Sequence, residues 1–165
     1  MRANNRLFAS GCVRELENTD QAKPKPVCGE KCIDKFSWGD LLYEMRTDPH
    51  RKTYVYERQG RIMGYVNFRL TPEEAVFVDV VAVDASCQNQ DVGGSLMRWT
   101  ETCGRNCHCT TIHLWAIDDR KPWYSGKFGY SCYDKPHVLD GTTFHPMRKK
   151  LLYNLPDDDS LTTGS

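Results

Sequence analysis

The chain has 165 residues, enough for one domain of ordinary size with little room for a second. Its 22 basic residues offset 22 acidic ones, so the formal net charge is zero, without the basic excess of a nonspecific nucleic-acid binder. No apolar run approaches the roughly 20 residues of a membrane-spanning helix, and 39% hydrophobic with 27% charged residues is a globular mixture, neither fibrous nor wholly disordered.

Arg6 to Leu16 reads as an opening strand, and Gln21 to Pro26, with two prolines, as a loop. Apolar residues recur at helical spacing from Lys31 to Arg46, with Gly39 among them, which predicts one broken helix or two short ones. Thr47-Asp48-Pro49 stops it. Thr53 to Glu57, Ile62 to Leu70 and Ala75 to Val83 are β-branched and aromatic runs joined by short turns, an antiparallel meander. Alternation in the second run places Ile62, Gly64, Val66, Phe68 and Leu70 on one face. AVFVDVVAV is apolar on both faces, as a strand covered on both sides requires. A polar loop from Asp84 to Gly94 then opens a helix over Ser95 to Cys103, followed by a strand at Thr110 to Ile117 and a helix within Asp118 to Lys127. Phe128 to Tyr133 and Phe144 to Tyr153 read as strands. One domain over residues 1–153 and a disordered acidic tail over 154–165 are expected.

The N-terminus MRANNRLFASGC lacks the apolar stretch of a secretory leader, which predicts an intracellular, cytoplasmic location, with the nucleus as the alternative. In a reducing compartment the eight cysteines are expected as free thiols. Only Cys103, Cys107 and Cys109 cluster, and no second pair is spaced to complete a tetrahedral zinc set. No metal is expected, although a cysteine-based zinc or redox module is the reading that this cluster would motivate.

The segment from Val76 to Leu96 carries the chemistry. A buried strand runs into a loop that opens a helix, and a helix N-terminus offers unpaired N–H groups and partial positive charge to phosphate oxygens. Gly93 and Gly94 permit close approach of a ligand. The plainer alternative is a helix that merely begins with two glycines. The pattern is neither G-x-G-x-x-G nor a P-loop. Downstream, Trp123-Tyr124-Ser125-Gly126-Lys127-Phe128-Gly129-Tyr130 follows the next strand.

Together these segments resemble the GNAT superfamily of acyl-CoA-dependent N-acyltransferases. Gln88-Asn89-Gln90-Asp91-Val92-Gly93 is similar to the family's Q/R-x-x-G-x-G/A motif after its fourth strand. The lead-in Val81-Ala82-Val83, the following Leu96-Met97, the aromatic-Tyr-x-x-x-Gly-aromatic stretch at Trp123 to Tyr130 and the ending at His145 to Leu151 also look like the family. The resemblance covers roughly Thr53 to Leu152. One departure is Asp91, where the family most often has glycine. A carboxylate there opposes a pyrophosphate unless it points away, and Asp tolerates positive φ and can cap a helix.

The resemblance implies an α+β fold with a mostly antiparallel sheet of six to seven strands, splayed between strands four and five and flanked by about four helices. It implies acetyl-CoA as cosubstrate, with the pantetheine arm against the main chain of Val81, Ala82 and Val83. The pyrophosphate would lie on Gln88, Asn89, Gln90, Asp91, Val92, Gly93, Gly94 and Ser95. The implied reaction is direct attack of a primary amine on the thioester, the acceptor being a protein lysine, a protein N-terminus or a small amine. Tyr124, also beside the coenzyme, would serve the departing thiolate; the alternative is a packed aromatic. Asp79, the one charged residue in AVFVDVVAV, would be the base, with Asp118, Asp119 or water as alternatives, or else it satisfies backbone groups at a bulge. The acceptor would lie between the segment before Pro49 and the Lys135 to Thr143 loop. An acyl-CoA-binding domain without turnover is the runner-up. No nucleic-acid or membrane partner is implied, and the oligomeric state is left open.

Overall fold

The computed structural model describes residues 10–28 and 36–152. Residues 31–35 of the expected broken helix and the whole tail at 154–165 lie outside them. Strands β1 (Cys12–Glu15), β2 (Arg51–Arg58), β3 (Arg61–Thr71) and β4 (Ala75–Val83) pair antiparallel in chain order. Gln59 and Gly60, both at positive φ, form the two-residue turn between β2 and β3. Helix α1 (Trp38–Thr47) precedes β2. Over the described residues it runs unbroken from Trp38 and Gly39 does not interrupt it. Ser37 caps it, its Oγ accepting from Asp40 N–H while the Asp40 carboxylate accepts from Ser37 N–H, so Gly39 falls in the tolerant first turn.

After β4, helix α2 (Val92–Asn106) crosses over to β5 (Thr111–Ile117), which lies parallel to β4. Helix α3 (Lys121–Phe128) and the short strands β6 (Ser131–Cys132) and β7 (His137–Leu139) follow, and residues Phe144 to Lys150 of β8 (Thr142–Lys150) pair with the whole of β5. β6 and β7 share the other edge of β8. The sheet order is β1-β2-β3-β4-β5-β8-β6, with β7 on β8. The described residues thus hold eight strands, more than the six to seven expected, and three α-helices, fewer than the expected four. Two 3-10 turns, Asn18–Ala22 and Ala85–Cys87, stand beside them.

Both faces of the sheet are covered. Val66, Phe68, Val76, Val78, Ile112, Leu114 and Met147 pack with Leu96 and Met97 of α2. On the other face Leu16, Val55, Ile62, Tyr65 and Ala82 pack with Trp38, Leu41 and Leu42 of α1. Ile62 therefore does not share a face with Val66 and Phe68. The register shifts between Tyr56 and Glu57, leaving Met63 as an extra residue of β3, and this reverses the alternation. A second bulge makes Asp79 the extra residue of β4, so Val76 and Val78 face α2 while Val80 and Ala82 face α1.

That second bulge shapes the molecule's centre. Pairing of β4 with β5 runs from Ala75–Thr111 to Val78–Leu114 and stops there, one residue before Asp79. A bulge bends its strand and increases the local twist. The last part of β4 accordingly leaves β5, which stays paired to β8 as far as Ile117–Phe144. The two strands open into a V.

Candidate active site

The V is the floor of a cleft of about 610 Å³. Asp79, Val81 and Val83 line it from β4, Trp115 and Ile117 from β5, Phe144 from β8, and Arg120, Trp123, Tyr124 and Lys127 from the segment of α3. Gln88, Asn89, Asp91, Gly93 and Gly94 close one end. Among the sequence candidates, Ala82, Gln90, Val92 and Ser95 stand off the cleft wall. Ala82 and Val92 are buried in the two cores, Gln90 accepts from Arg58 at 2.7 Å, and the Ser95 hydroxyl donates to the Asp91 carbonyl at 3.0 Å.

The loop end carries unpaired backbone donors and two nearby cations. Ser95 N–H donates to Asp91 C=O, the first bond of α2, so the N–H groups of Val92, Gly93 and Gly94 have no acceptor within the helix. Asp91 is the N-cap residue, yet its side chain makes no capping bond. It adopts the left-handed conformation, φ 56° and ψ 26°, that a glycine would otherwise supply. Its carboxylate is held by two cations, Lys127 of α3 on one oxygen and Arg98 of α2 on the other, the latter at 2.6 Å. Lys127 first, then Arg98, holds this carboxyl below its ordinary range. The departure from the glycine pattern is thereby compensated in shape and in charge. Any side chain at Gly94 would run into the same carboxylate.

The α3 side is an aromatic nest. Tyr124 meets Trp123 edge-on at 4.8 Å and Tyr130 at 5.8 Å between ring centres. Gly129, at φ 74°, turns the chain so that Tyr130 can return against Tyr124. Burial pushes the Tyr124 hydroxyl up to about 12, opposed in part by Arg120. Arg120 itself donates to Gln88 at 3.2 Å, joining the start of α3 to the loop after β4. At neutral pH Tyr124 is a protonated donor on the cleft wall.

Asp79 lies where the strands part. Its side chain is 23% exposed and pairs with Arg51 at 3.4 Å and Arg69 at 3.8 Å. Burial pushes this carboxyl up, Arg69 and Arg51 offset part of the effect, and Glu44 adds to it. It is thus both the bulge residue and a cleft residue. Asp118 pairs with His145 and is largely exposed, and neither Asp118 nor Asp119 is on the cleft wall. Beyond Asp79, Trp115 stacks on His137 at 5.3 Å, which brings the 135–143 segment beside the cleft. From the other candidate acceptor region, Cys28 lines the cleft, where Val27 bonds Asp84 and Ala85.

Arg120, Trp123, Lys127, Trp115 and Phe144 were not singled out from sequence. The first three sit beside Tyr124 in the chain, and helical spacing of Arg120, Tyr124 and Lys127 was the available signal. Trp115 and Phe144 depend on the β5–β8 register, which no local pattern carries. The cysteine cluster is elsewhere, at the end of α2. Burial pushes the Cys103 and Cys109 thiols up, away from the thiolate form that metals bind. No group of three or more His, Cys, Asp or Glu that could hold a metal occurs among the described residues. Nor is any helix among them long and apolar enough to cross a membrane.

Comparison with known proteins places this geometry. Ard1 from Thermoplasma volcanium superposes with a TM-score of 0.72 at 18% identity, over 87% of this chain and 99% of that one. The ribosomal-protein-S18-alanine N-acetyltransferase from Escherichia coli gives 0.67 at 13%, over 90% and 98%. A GNAT family acetyltransferase from Elizabethkingia anophelis, solved with acetyl-CoA bound, gives 0.62 at 15%, over 86% and 98%. At such identities these likenesses show the fold. No curated protein sequence matches the chain. The family profile described as Acetyltransferase (GNAT) domain matches residues 18–151, and the chain belongs to that family of acetyltransferases.

Proposed function

We propose that this N-acetyltransferase moves the acetyl group of acetyl-CoA to a primary amine by direct attack in the β4–β5 cleft. The observation that carries the reading is the V itself, which has unpaired strand edges on two sides and an uncapped, cation-flanked helix N-terminus at one end. That combination suits a ligand with an extended amide-bearing arm and a diphosphate. Val81 and Val83 would offer main-chain partners to the arm, and Ala82 contributes by fixing the strand. The N–H groups of Val92, Gly93 and Gly94 would face the diphosphate, with Lys127 and Arg120 supplying positive charge.

The chain's own groups then divide the chemistry. The amine must lose a proton, and two carboxylates stand on the cleft wall among the described residues. Asp91 is held ionised at the loop end by Lys127 and Arg98, whereas Asp79, where the strands part, is raised toward the working range by burial. Asp79 is therefore the base. Tyr124 faces the thiolate. With its hydroxyl pushed up to about 12, it lies well above a thiol near about 8.5. Complete proton transfer is therefore uphill, and the phenol acts by donating a hydrogen bond to the developing thiolate. The test is release of CoA thiol from acetyl-CoA on addition of a panel of amines. Acetyl-CoA binding without amine-dependent release would instead indicate an acyl-CoA-binding domain, and absence of binding would contradict both.

A further inference from the structure

Glu101 and Tyr130 are buried and take no part in the chemistry above. Glu101, on α2, is 5% exposed. Lys149 of β8 donates to both its oxygens, at 2.9 and 3.2 Å, and Arg105 stands 3.7 Å away. The Tyr130 hydroxyl donates to the same carboxylate at 3.2 Å. Burial, and then the Glu101 charge, pushes that hydroxyl up, so it stays a donor at every working pH. The Lys149 ammonium also lies 5.8 Å over the Tyr130 ring. Tyr130 is thus gripped at its tip by α2 and on its face by β8.

Tyr124 has no such grip of its own. Its hydroxyl makes no hydrogen bond to another described residue, so the packing of its ring directs it. Trp123, at 4.8 Å, is its neighbour in α3 and moves with it. Tyr130, at 5.8 Å and 72° between planes, lies beyond the α3 cap and is tied to other elements. Tyr130 N–H also donates to Tyr124 C=O at 3.2 Å. An edge-to-face contact sets ring orientation as well as distance. A donor aimed at developing charge is effective only when its direction is set beforehand. A buried ion pair adds little net stability over apolar packing of the same volume, so orientation is the more telling product of the Glu101–Lys149 pair.

We propose that Tyr130, anchored by Glu101, is a positioning residue that holds the Tyr124 phenol toward the sulfur of the coenzyme. This rests on the reading of Tyr124 as the donor to the departing thiolate, and it extends the machinery of that step to α2 and β8.

The test uses the full chain with tyrosine carrying ¹³C at Cζ, titrated with CoA and with desulfo-CoA, which lacks the sulfur. The Tyr124 signal is the one that Tyr124→Phe removes. In the unsubstituted protein CoA should move this signal further than desulfo-CoA does. Tyr130→Phe keeps the ring and removes only the bond to Glu101. It should lose about half or more of that difference, with CoA affinity within about twofold of the unsubstituted protein. Arg105→Gln alters the same carboxylate's surroundings without touching Tyr130 and should keep the difference in full, with thermal unfolding showing that both variants fold. A full difference in Tyr130→Phe, an equal loss in Arg105→Gln, or a matching fall in CoA affinity would overturn the inference. Equal shifts by CoA and desulfo-CoA in the unsubstituted protein would overturn the role of Tyr124 and this inference with it. Failure of CoA to bind would overturn the coenzyme reading itself, and is seen separately in the first titration.

Discussion

Asp91 departs from a family pattern at the residue scale while keeping the backbone shape that the pattern's glycine would supply. It supplies positive φ in place of glycine, and two cations hold its charge. Asp91→Asn keeps the tolerance for positive φ and removes the charge. A unit charge about 6 Å from a phosphate, at an effective dielectric near 20, is worth up to roughly 3 kcal/mol. Exposure and salt reduce this to about 1 kcal/mol or less, and the released Lys127 and Arg98 add to the attraction. Calorimetry should therefore show several-fold tighter acetyl-CoA binding by the Asn variant, with the gain shrinking as salt rises. Tyr124→Phe removes the donor proposed to act at thiolate departure, so turnover should fall by about tenfold or more while acetyl-CoA affinity changes little. Asp79 predicts a pH dependence. As the proposed base it must be ionised, and burial raises its pKa, so the acidic limb of the rate profile should be displaced upward from that of an ordinary Asp. Asp79→Asn should abolish that limb, and an unaltered profile would move the role to another group or to water.

Among the elements, the 3-10 turn at Asn18–Ala22 is tied down by one buried acid. Asp20 accepts from both terminal nitrogens of Arg14 at 2.8 Å and from Glu17 N–H at 2.9 Å, and Arg14 also binds Glu57 of β2. Arg14 above all holds the Asp20 carboxyl down at about 2, from 3.8. A depressed pKa contributes stability that is complete above the unfolded value and is lost as pH falls through the folded one. A depression of this size corresponds to roughly 2 kcal/mol. Asp20→Asn should thus lower the melting temperature at neutral pH by about 4–8 °C, and the variant and parent curves should converge between about pH 4 and pH 2. Element boundaries show what local sequence can carry. β4 was legible at its full span, because a run of nine residues with eight apolar ones admits few alternatives. The bulges at Met63 and Asp79 were not, since register is set by the partner strand. β7 was missed as well, although Asp140-Gly141, both at positive φ, is the turn signal that joins it to β8.

At the scale of the whole molecule, the cleft exists because one inserted residue parts two parallel strands and two helices cover the gap from one face. The loop from Gln88 to Gly94 and Tyr124 could be found from sequence because short motifs carry them. Trp115, Phe144, Arg120 and Lys127 reach the same cleft only through the β5–β8 register and the docking of α3, which are properties of the assembled sheet. The central claim is that the coenzyme lies in this V with its diphosphate on the start of α2. Titration of the ¹⁵N-labelled protein with CoA, followed by backbone amide spectra, tests it most directly. Saturable shifts concentrated at Val81, Val83, Val92, Gly93 and Gly94 are the expected result. Saturable shifts confined to the outer edge of β8, or none anywhere, would contradict it.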